Sequence, residues 1–297
     1  MRIVVGGSSG FIGTALVDRL RAAGHDIVRL VRRDSAAPDE VTWRPSVAPL
    51  DPSTVDGADA VVNLAGVGVG THRWNAAFKA LIRASRVNST EALAAAVAAA
   101  KAPPRVLLNA SAVGFYGDTG DREVDESGPA GDGYFPDVCR AWEAATEAAE
   151  AAGIRVAHLR TGLVLGPGGG LLKPLLPLYR FGLGGPLGNG RQWMPWISLA
   201  DEVAAIEFLL TADAVTGAVN LTGSAPVTNR EFARTLGRVL HRPAVLPVPA
   251  FALRIAVGEF GAEAVRSQRV LPAVLAGAGY RFQHADLESA LRWSLTR

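Results

Sequence analysis

The sequence predicts an α/β protein built on a doubly wound parallel sheet. Three observations carry that expectation. A short β-branched run at Arg2 to Val5 leads straight into a glycine-rich turn at Gly7 to Gly13, strand-like and helix-like stretches alternate from there to Leu159, and 49% of the 297 residues are hydrophobic, enough to bury both faces of a large sheet.

Each element has its own signature. After the first strand and turn, Phe11 to Ala23 carries apolar residues at helical spacing. Strands follow at Asp26 to Val31 and Ala58 to Leu64, then a helix around Ser85 to Ala100 and a strand at Arg105 to Asn109. A polar loop from Asp118 to Asp132 precedes an alanine-rich helix over about Phe135 to Ala152, and the strand Arg155 to Leu159 completes the predicted sheet. Gly166 to Gly190 is rich in glycine, proline and leucine, as expected of loops and short helices over a ligand crevice. Pro195 to Ser198 and Ala218 to Leu221 read as strands around a helix at Ala200 to Thr211. Beyond Ala225, two or three helices and the segment Tyr280 to Phe282 form a small, mostly helical carboxy-terminal subdomain. There is no internal repeat.

Composition narrows the function classes. A net charge of +2 with scattered basic residues argues against nucleic-acid and membrane partners. Only Lys79, Lys101 and Lys173 are lysines, so arginine carries nearly all the positive charge. The single cysteine, Cys139, has no intramolecular disulfide partner, no charged leader precedes the first strand, and no apolar run reaches the roughly 18 residues of a membrane span. The expectation is a cytoplasmic protein. No His/Cys/Asp cluster has metal-ligand spacing, so no metal is expected.

The chemistry begins at Gly7, Ser8, Ser9, Gly10, Phe11, Ile12 and Gly13, a G-x-x-G-x-x-G spacing between a strand and a helix. Gly7 permits the tight turn, Gly10 lets backbone N–H groups approach a pyrophosphate, and Gly13 allows close helix–strand packing at a helix amino terminus that favours negative charge. This is the dinucleotide cradle of a Rossmann fold. In an NAD-preferring site an acid about 20 residues on binds the ribose 2′-hydroxyl. Here Val31 holds that place and Arg32 and Arg33 follow, so NADP(H) is preferred and NAD(H) remains an alternative, with Asp34 able to serve the ribose from a displaced loop. Asn63, Leu64, Ala65 and Gly66 end the third strand beside the adenosine half of such a ligand.

Together these features resemble the short-chain dehydrogenase/reductase superfamily in its extended, NAD(P)-dependent epimerase/dehydratase form. More narrowly, the chain resembles an epimerase-like family with a small conserved carboxy-terminal domain. That match rests on Arg73-Trp74, the run Ser85 to Thr90, Ser111 to Asp118, Trp142-Glu143, Arg160 to Gly166, Trp193 to Leu199, Arg269 to Pro272 and Ala278 to Phe282. The resemblance implies a substrate-orienting serine at Ser111 and, at Asn88, the asparagine that shapes a proton-relay water site. It also implies that Arg160, Arg191 and Trp193 lie where extended members hold an anionic or sugar substrate. The expected division is a dinucleotide-binding domain at residues 1–165, rejoined by 195–222, with 166–194 and 223–297 as the substrate-side subdomain.

The superfamily's Tyr-x-x-x-Lys pair is missing, since none of Tyr116, Tyr134, Tyr179 and Tyr280 is followed four residues later by lysine. Placing the helix by its pattern puts Cys139 at the tyrosine position and Glu143 at the lysine position, one turn apart and able to face the nicotinamide together. A neighbouring carboxylate raises a thiol's pKa, which argues against a thiolate nucleophile; Glu143 is the candidate acid or base, and Cys139 is alternatively a packing residue. Tyr116, in a loop near the crevice, is a further candidate proton donor, and Tyr134 could substitute. His72 is either a pocket residue or part of a capped loop. Two readings follow. One is an NADP(H)-dependent epimerase-like oxidoreductase acting on an unidentified small molecule, as monomer or homodimer; the other is an NADP(H)-binding sensor or scaffold without turnover.

Overall fold

The computed structural model describes residues 1–249, 258–263 and 265–296. The first strand, β1 (Arg2–Gly6), shows how the sheet is built: Ile3 and Val5 point to one face and Val4 to the other, all three fully buried. Ile3 and Val5 pack with Leu16, Val17 and Leu20 of α1 (Phe11–Ala22). On the opposite face, Val4 packs with Leu93 and Val97 of α2 (Ala76–Ala99). A strand apolar on both faces requires helices on both.

The sheet has seven parallel strands in the order β11-β7-β5-β4-β1-β2-β3. They are β1, β2 (Asp26–Val31), β3 (Glu40–Thr42), β4 (Ala60–Asn63), β5 (Val106–Ala112), β7 (Arg155–Thr161) and β11 (Gly217–Leu221). From β1 the chain winds first outward to β2 and β3, then back across through β4, β5 and β7, so the direction reverses between β1 and β4. A crevice opens at such a switch, at the carboxyl ends of the strands. α1 packs beside α6 (Leu199–Thr211) on one face, while α2 packs with α3 (Tyr134–Ala144) and α4 (Glu147–Ala151) on the other.

Several boundaries differ from expectation. The sheet is not complete at Leu159: β11 adds its outer edge after α6, and the three-residue β3 forms the opposite edge. α2 starts at Ala76, nine residues ahead of the expected Ser85, because the Asn75 side chain caps it by accepting from the Phe78 N–H at 2.8 Å. The expected helix over Phe135 to Ala152 is two helices. The buried hydroxyl of Thr146 donates back to the Glu143 carbonyl at 2.8 Å and interrupts the run at Ala145–Thr146.

The second hydrophobic body joins α5 (Leu172–Arg180), Trp196 of β10 (Trp196–Ser198), Phe232 and Leu236 of α7 (Asn229–Val239), and Leu287 and Leu291 of the helix Leu287–Leu295. The part of the expected carboxy-terminal subdomain at 250–257, 264 and 297 lies outside the described residues. Its neighbour Arg269–Val270 reaches back and pairs in parallel with Glu123–Val124, in the loop that follows β5.

Candidate functional site

The glycine cradle is closed to any side chain. Gly7 has φ +75°, and a Cβ there would lie 2.5 Å from the Leu64 carbonyl carbon; a Cβ on Gly13 would lie 2.2 Å from the Gly7 oxygen. The turn therefore brings β1, the start of α1 and the Leu64–Gly66 segment into backbone contact. Ser8 is buried, and its hydroxyl has no hydrogen-bond partner among the described residues. An orphaned donor inside a nest of backbone amides fits a phosphate oxygen. Phe11 closes the rim: the Gly168–Gly170 loop packs so tightly against its ring that a Cβ on Gly169 would lie 2.1 Å from it. Lys173 lines the same cleft as Ser9, Gly10 and Thr14.

At the end of β2 the two arginines separate. Arg33 is held by Glu40 through two hydrogen bonds, of 2.7 and 2.5 Å, and Glu40 is also paired with Arg29 at 2.8 Å. The Arg33 hydrogen bonds, then the Ala36 N–H, bring the Glu40 carboxyl down to about 2. Arg32 is exposed, and its side chain makes no ion pair or hydrogen bond among the described residues. Asp34, 91% exposed, is paired with Arg44 at 2.7 Å.

Asn63 is fully buried, and its side chain faces the fold. It donates to Asn109 at 2.8 Å and to Thr90 at 3.0 Å, while its Oδ1 accepts from the Ala65 N–H at 3.1 Å. Thr90 also accepts from the Trp142 indole at 3.0 Å. This network fixes the Leu64–Gly66 turn and the placement of α3 through side chains from β4, α2, β5 and α3.

Ser111 and Arg160 are cross-strand neighbours on β5 and β7, and both meet Glu143 of α3. Ser111 Oγ donates to Glu143 Oε1 at 2.6 Å; Arg160 donates from Nε to Oε1 at 2.8 Å and from Nη2 to Oε2 at 2.9 Å. The remaining Arg160 nitrogen, Nη1, donates to the Tyr116 hydroxyl at 2.9 Å, and the guanidinium stacks on Phe115 with its carbon 3.4 Å from the ring centre. Burial works to lower the Arg160 pKa, yet the hydrogen bonds and charge of Glu143 hold it above its ordinary value. Arg160 is thus a partner of Glu143 within the β5–β7 layer.

Two further candidates, Cys139 and Tyr116, are buried and hydrogen-bonded within the protein. Cys139 is 1% exposed, its Sγ lies 3.6 Å from the Ala112 carbonyl oxygen, and burial followed by the Glu143 charge pushes its thiol up to about 12. A thiol held protonated in this way fits the packing alternative. Tyr116 is 2% exposed; its hydroxyl accepts from Arg160 and donates to Asn220 at 2.8 Å, and burial raises its pKa. Asn88 is half-buried and makes no side-chain hydrogen bond among the described residues. Tyr134 donates to the Lys79 carbonyl at 2.6 Å, His72 sits exposed beside Thr71, and Arg191 is exposed. Trp193 donates to Asp121 at 3.0 Å with Arg269 over its ring.

Sequence reasoning missed Arg86. Its side chain runs along the Gly66 backbone, where a Cβ would lie 3.4 Å from Arg86 Cγ and Cζ, and its guanidinium stacks over Trp142 at 5.0 Å. The available signal was a cation at Ile82 plus four and Thr90 minus four, on the buried stripe of α2. Gln268 was also missed: it ties the carboxy-terminal region to the site by donating to the carbonyls of Val113 and Gly117, both at 3.0 Å.

Comparison with known proteins agrees with this geometry. Residues 3–222 match the NAD dependent epimerase/dehydratase family, and residues 248–294 match a domain of unknown function, DUF1731. The chain belongs to the NAD dependent epimerase/dehydratase family. It is 48% identical to an epimerase family protein of Mycobacterium bovis, over 99% of this chain and 98% of that one. Among solved structures, the human epimerase family protein SDR39U1 with NADPH superposes with a TM-score of 0.90 at 34% identity, covering 99% of both chains. A nucleoside-diphosphate sugar epimerase of Corynebacterium glutamicum gives a TM-score of 0.81 at 34% identity, over 99% of this chain and 58% of that one. In this epimerase/dehydratase chain no cluster of three His, Cys, Asp or Glu suited to a metal occurs among the described residues, and no described helix is long and apolar enough to cross a membrane.

Proposed function

We propose that this protein binds NADP(H) and is an epimerase-like oxidoreductase acting on a small molecule. The observation that carries the coenzyme reading is the sealed glycine cradle with Arg32 unpaired at the end of β2. Backbone amides of Ser9 to Gly13 and the Ser8 hydroxyl take the pyrophosphate, with Lys173 at the cleft edge. Arg32 takes the 2′-phosphate, because Arg33 is occupied by Glu40 and Asp34 by Arg44. The NADPH in the human relative's structure supports the same choice; NAD(H) fits the cradle but leaves Arg32 without its anion.

The bound nicotinamide supplies a hydride donor or acceptor. Ser111 is the residue assigned to the substrate oxygen, and Glu143, bonded to its hydroxyl, is the proton acceptor behind it when an alcohol is oxidised. Arg160 holds both Glu143 oxygens and so fixes the carboxylate for that role. This arrangement replaces Tyr-x-x-x-Lys with a serine relay, and a hydroxyl–carboxylate pair at the carboxyl end of β5 supports turnover over a sensor or scaffold role.

Fluorescence titration with NADPH and NADH tests the coenzyme assignment. Arg32→Ala is expected to weaken NADPH binding by about tenfold, one lost charge-assisted contact, and to leave NADH unchanged. Tighter binding of NADH than NADPH by the wild-type protein would remove Arg32 from the coenzyme site. Turnover is read by NADPH oxidation across a carbonyl panel, with Ser111→Ala expected to abolish it while NADPH affinity is kept.

A further inference from the structure

We propose that the end of α5 and the loop after α7 form a peripheral docking surface for an anionic lipid bilayer. The inference is independent of the coenzyme and substrate readings above.

Large apolar side chains are ordinarily exposed one at a time, and a cluster of them marks a surface that meets something. Of the seven exposed large hydrophobic residues among the described residues, five come from two short segments: Leu178, Phe181 and Leu183 at the end of α5, and Val245 and Leu246 after α7. Backbone contacts make them one surface. The Leu246 N–H donates to the Gly184 carbonyl at 3.2 Å, Arg242 Nε donates to the Arg180 carbonyl at 3.1 Å, and a Cβ on Gly182 would lie 3.5 Å from Pro243 Cγ. The hydrophobic body beneath is filled from other positions, Leu172 and Tyr179 of α5 and Phe232 and Leu236 of α7. Phe181 is 82% exposed and Val245 74%, so both stand out from the surface instead of lining a groove.

Charge identifies the occupant. The chain has 28 acidic residues, yet none falls between Gly162 and Ala200 or between Val239 and Gly258. The whole-chain balance of +2 hides this, because the acids lie elsewhere. Arg180 and Arg242 are exposed on the two segments; the Arg242 donors go to the carbonyls of Arg180 and His241, and the Arg180 side chain makes no hydrogen bond or ion pair among the described residues. In a two-fold dimer such a patch meets its own copy, setting arginine against arginine with no acid from these segments to separate them. An extended acidic peptide needs a groove for its side chains, and these residues protrude. An anionic leaflet satisfies both parts at once: acyl chains take Phe181 and Val245, and headgroup phosphates take the guanidinium groups, the division of labour of an interfacial anchor. No described helix is long and apolar enough to cross a membrane, so the contact proposed is with one leaflet only.

The test sediments the full chain with vesicles of phosphatidylcholine alone and of phosphatidylcholine mixed with phosphatidylglycerol, at low and high salt. The wild type is compared with Phe181→Ser/Val245→Ser and with Arg180→Gln/Arg242→Gln, and thermal unfolding followed by circular dichroism checks that each variant is folded. Binding to the phosphatidylglycerol vesicles is expected, weakened by salt and by the arginine pair about tenfold or more, since each cation at an anionic surface contributes a factor of roughly five. The serine pair should weaken it at least as much at unchanged net charge. A second readout places the contact. Cys139 is buried, so Phe181→Cys takes an environment-sensitive thiol dye at residue 181, and the dye should brighten and shift to the blue only with phosphatidylglycerol vesicles. Absence of wild-type binding, equal binding to both vesicle types, or binding that the serine pair leaves intact would overturn the proposal. So would a dye at residue 181 already shielded from acrylamide without vesicles, which would mean that the patch is covered by the chain itself or by a second copy, the two being told apart by the mass from light scattering.

Discussion

Arg160 shows at the residue scale how a buried cation and its partners depend on one another. Arg160 is 5% exposed and fully partnered, stacked on Phe115 and forked onto Glu143, and its removal leaves a carboxylate with 13% side-chain exposure facing no cation. Breaking one side of a buried pair is far worse than replacing both, because the surviving charge stays desolvated. Arg160→Met is therefore expected to lower unfolding free energy by roughly 3–5 kcal/mol in urea titration. The double variant Arg160→Met/Glu143→Gln should recover a measurable part of that loss, and strict additivity would show that the two side chains are not coupled.

At the scale of elements, the glycine turn shows what a sequence makes legible. β1 and α1 were readable because the β-branched run, the G-x-x-G-x-x-G spacing and the amphipathic stripe are all local. Their function depends on the absence of side chains at contacts the sequence places only by rule. A Cβ on Gly13 meets backbone at 2.2 Å from the Gly7 oxygen and 2.9 Å from the Ser8 Cα, atoms that cannot rotate away. Gly13→Ala is expected to push the start of α1 off the cradle, with a destabilisation of roughly 1–3 kcal/mol and a loss of NADPH binding measured by fluorescence. Retained NADPH affinity would mean that the pyrophosphate does not use these amides. Less local features were not legible. Glu40–Thr42 is too short to read as a strand, and nothing in the alanine-rich run marks Thr146 as the break between α3 and α4 until its hydroxyl is seen to reach back to Glu143. For the site, the family resemblance implied Ser111 and the helix pattern placed Glu143, but Arg160 as their shared partner depends on the β5–β7 register, and Arg86 on how α2 crosses Gly66 and α3.

For the molecule as a whole, α6 is the seam between the sheet and the carboxy-terminal region, and its first turn is polar and buried. Asp201 accepts from the Gln283 N–H at 2.6 Å and the Tyr280 hydroxyl at 3.2 Å, and also from Ser198 at 2.7 Å and the His284 N–H at 3.1 Å. Beside it Glu202 is fully buried, takes one hydrogen bond from Thr161 at 2.8 Å, and leaves Oε2 without a partner among the described residues. Burial pushes its carboxyl up to about 8. The unfolded value is about 4.3, so below that pH both states carry the proton and this group adds no pH dependence. Between about 4.3 and 8 the folded chain keeps a proton that the unfolded chain releases, and the stability contribution of Glu202 falls as pH rises, levelling off above 8. Glu40 acts in the opposite sense: with its folded value lowered to about 2, its contribution is present above the unfolded value and is lost as the pH falls through that range. Glu202→Gln keeps an acceptor for Thr161 and removes the titration. It is expected to match the wild type near pH 4 and to be more stable by a few kcal/mol, on the order of 3, at pH 7.5 in urea denaturation. An advantage of equal size at both pH values would show that the carboxyl at this seam does not hold its proton in the folded chain.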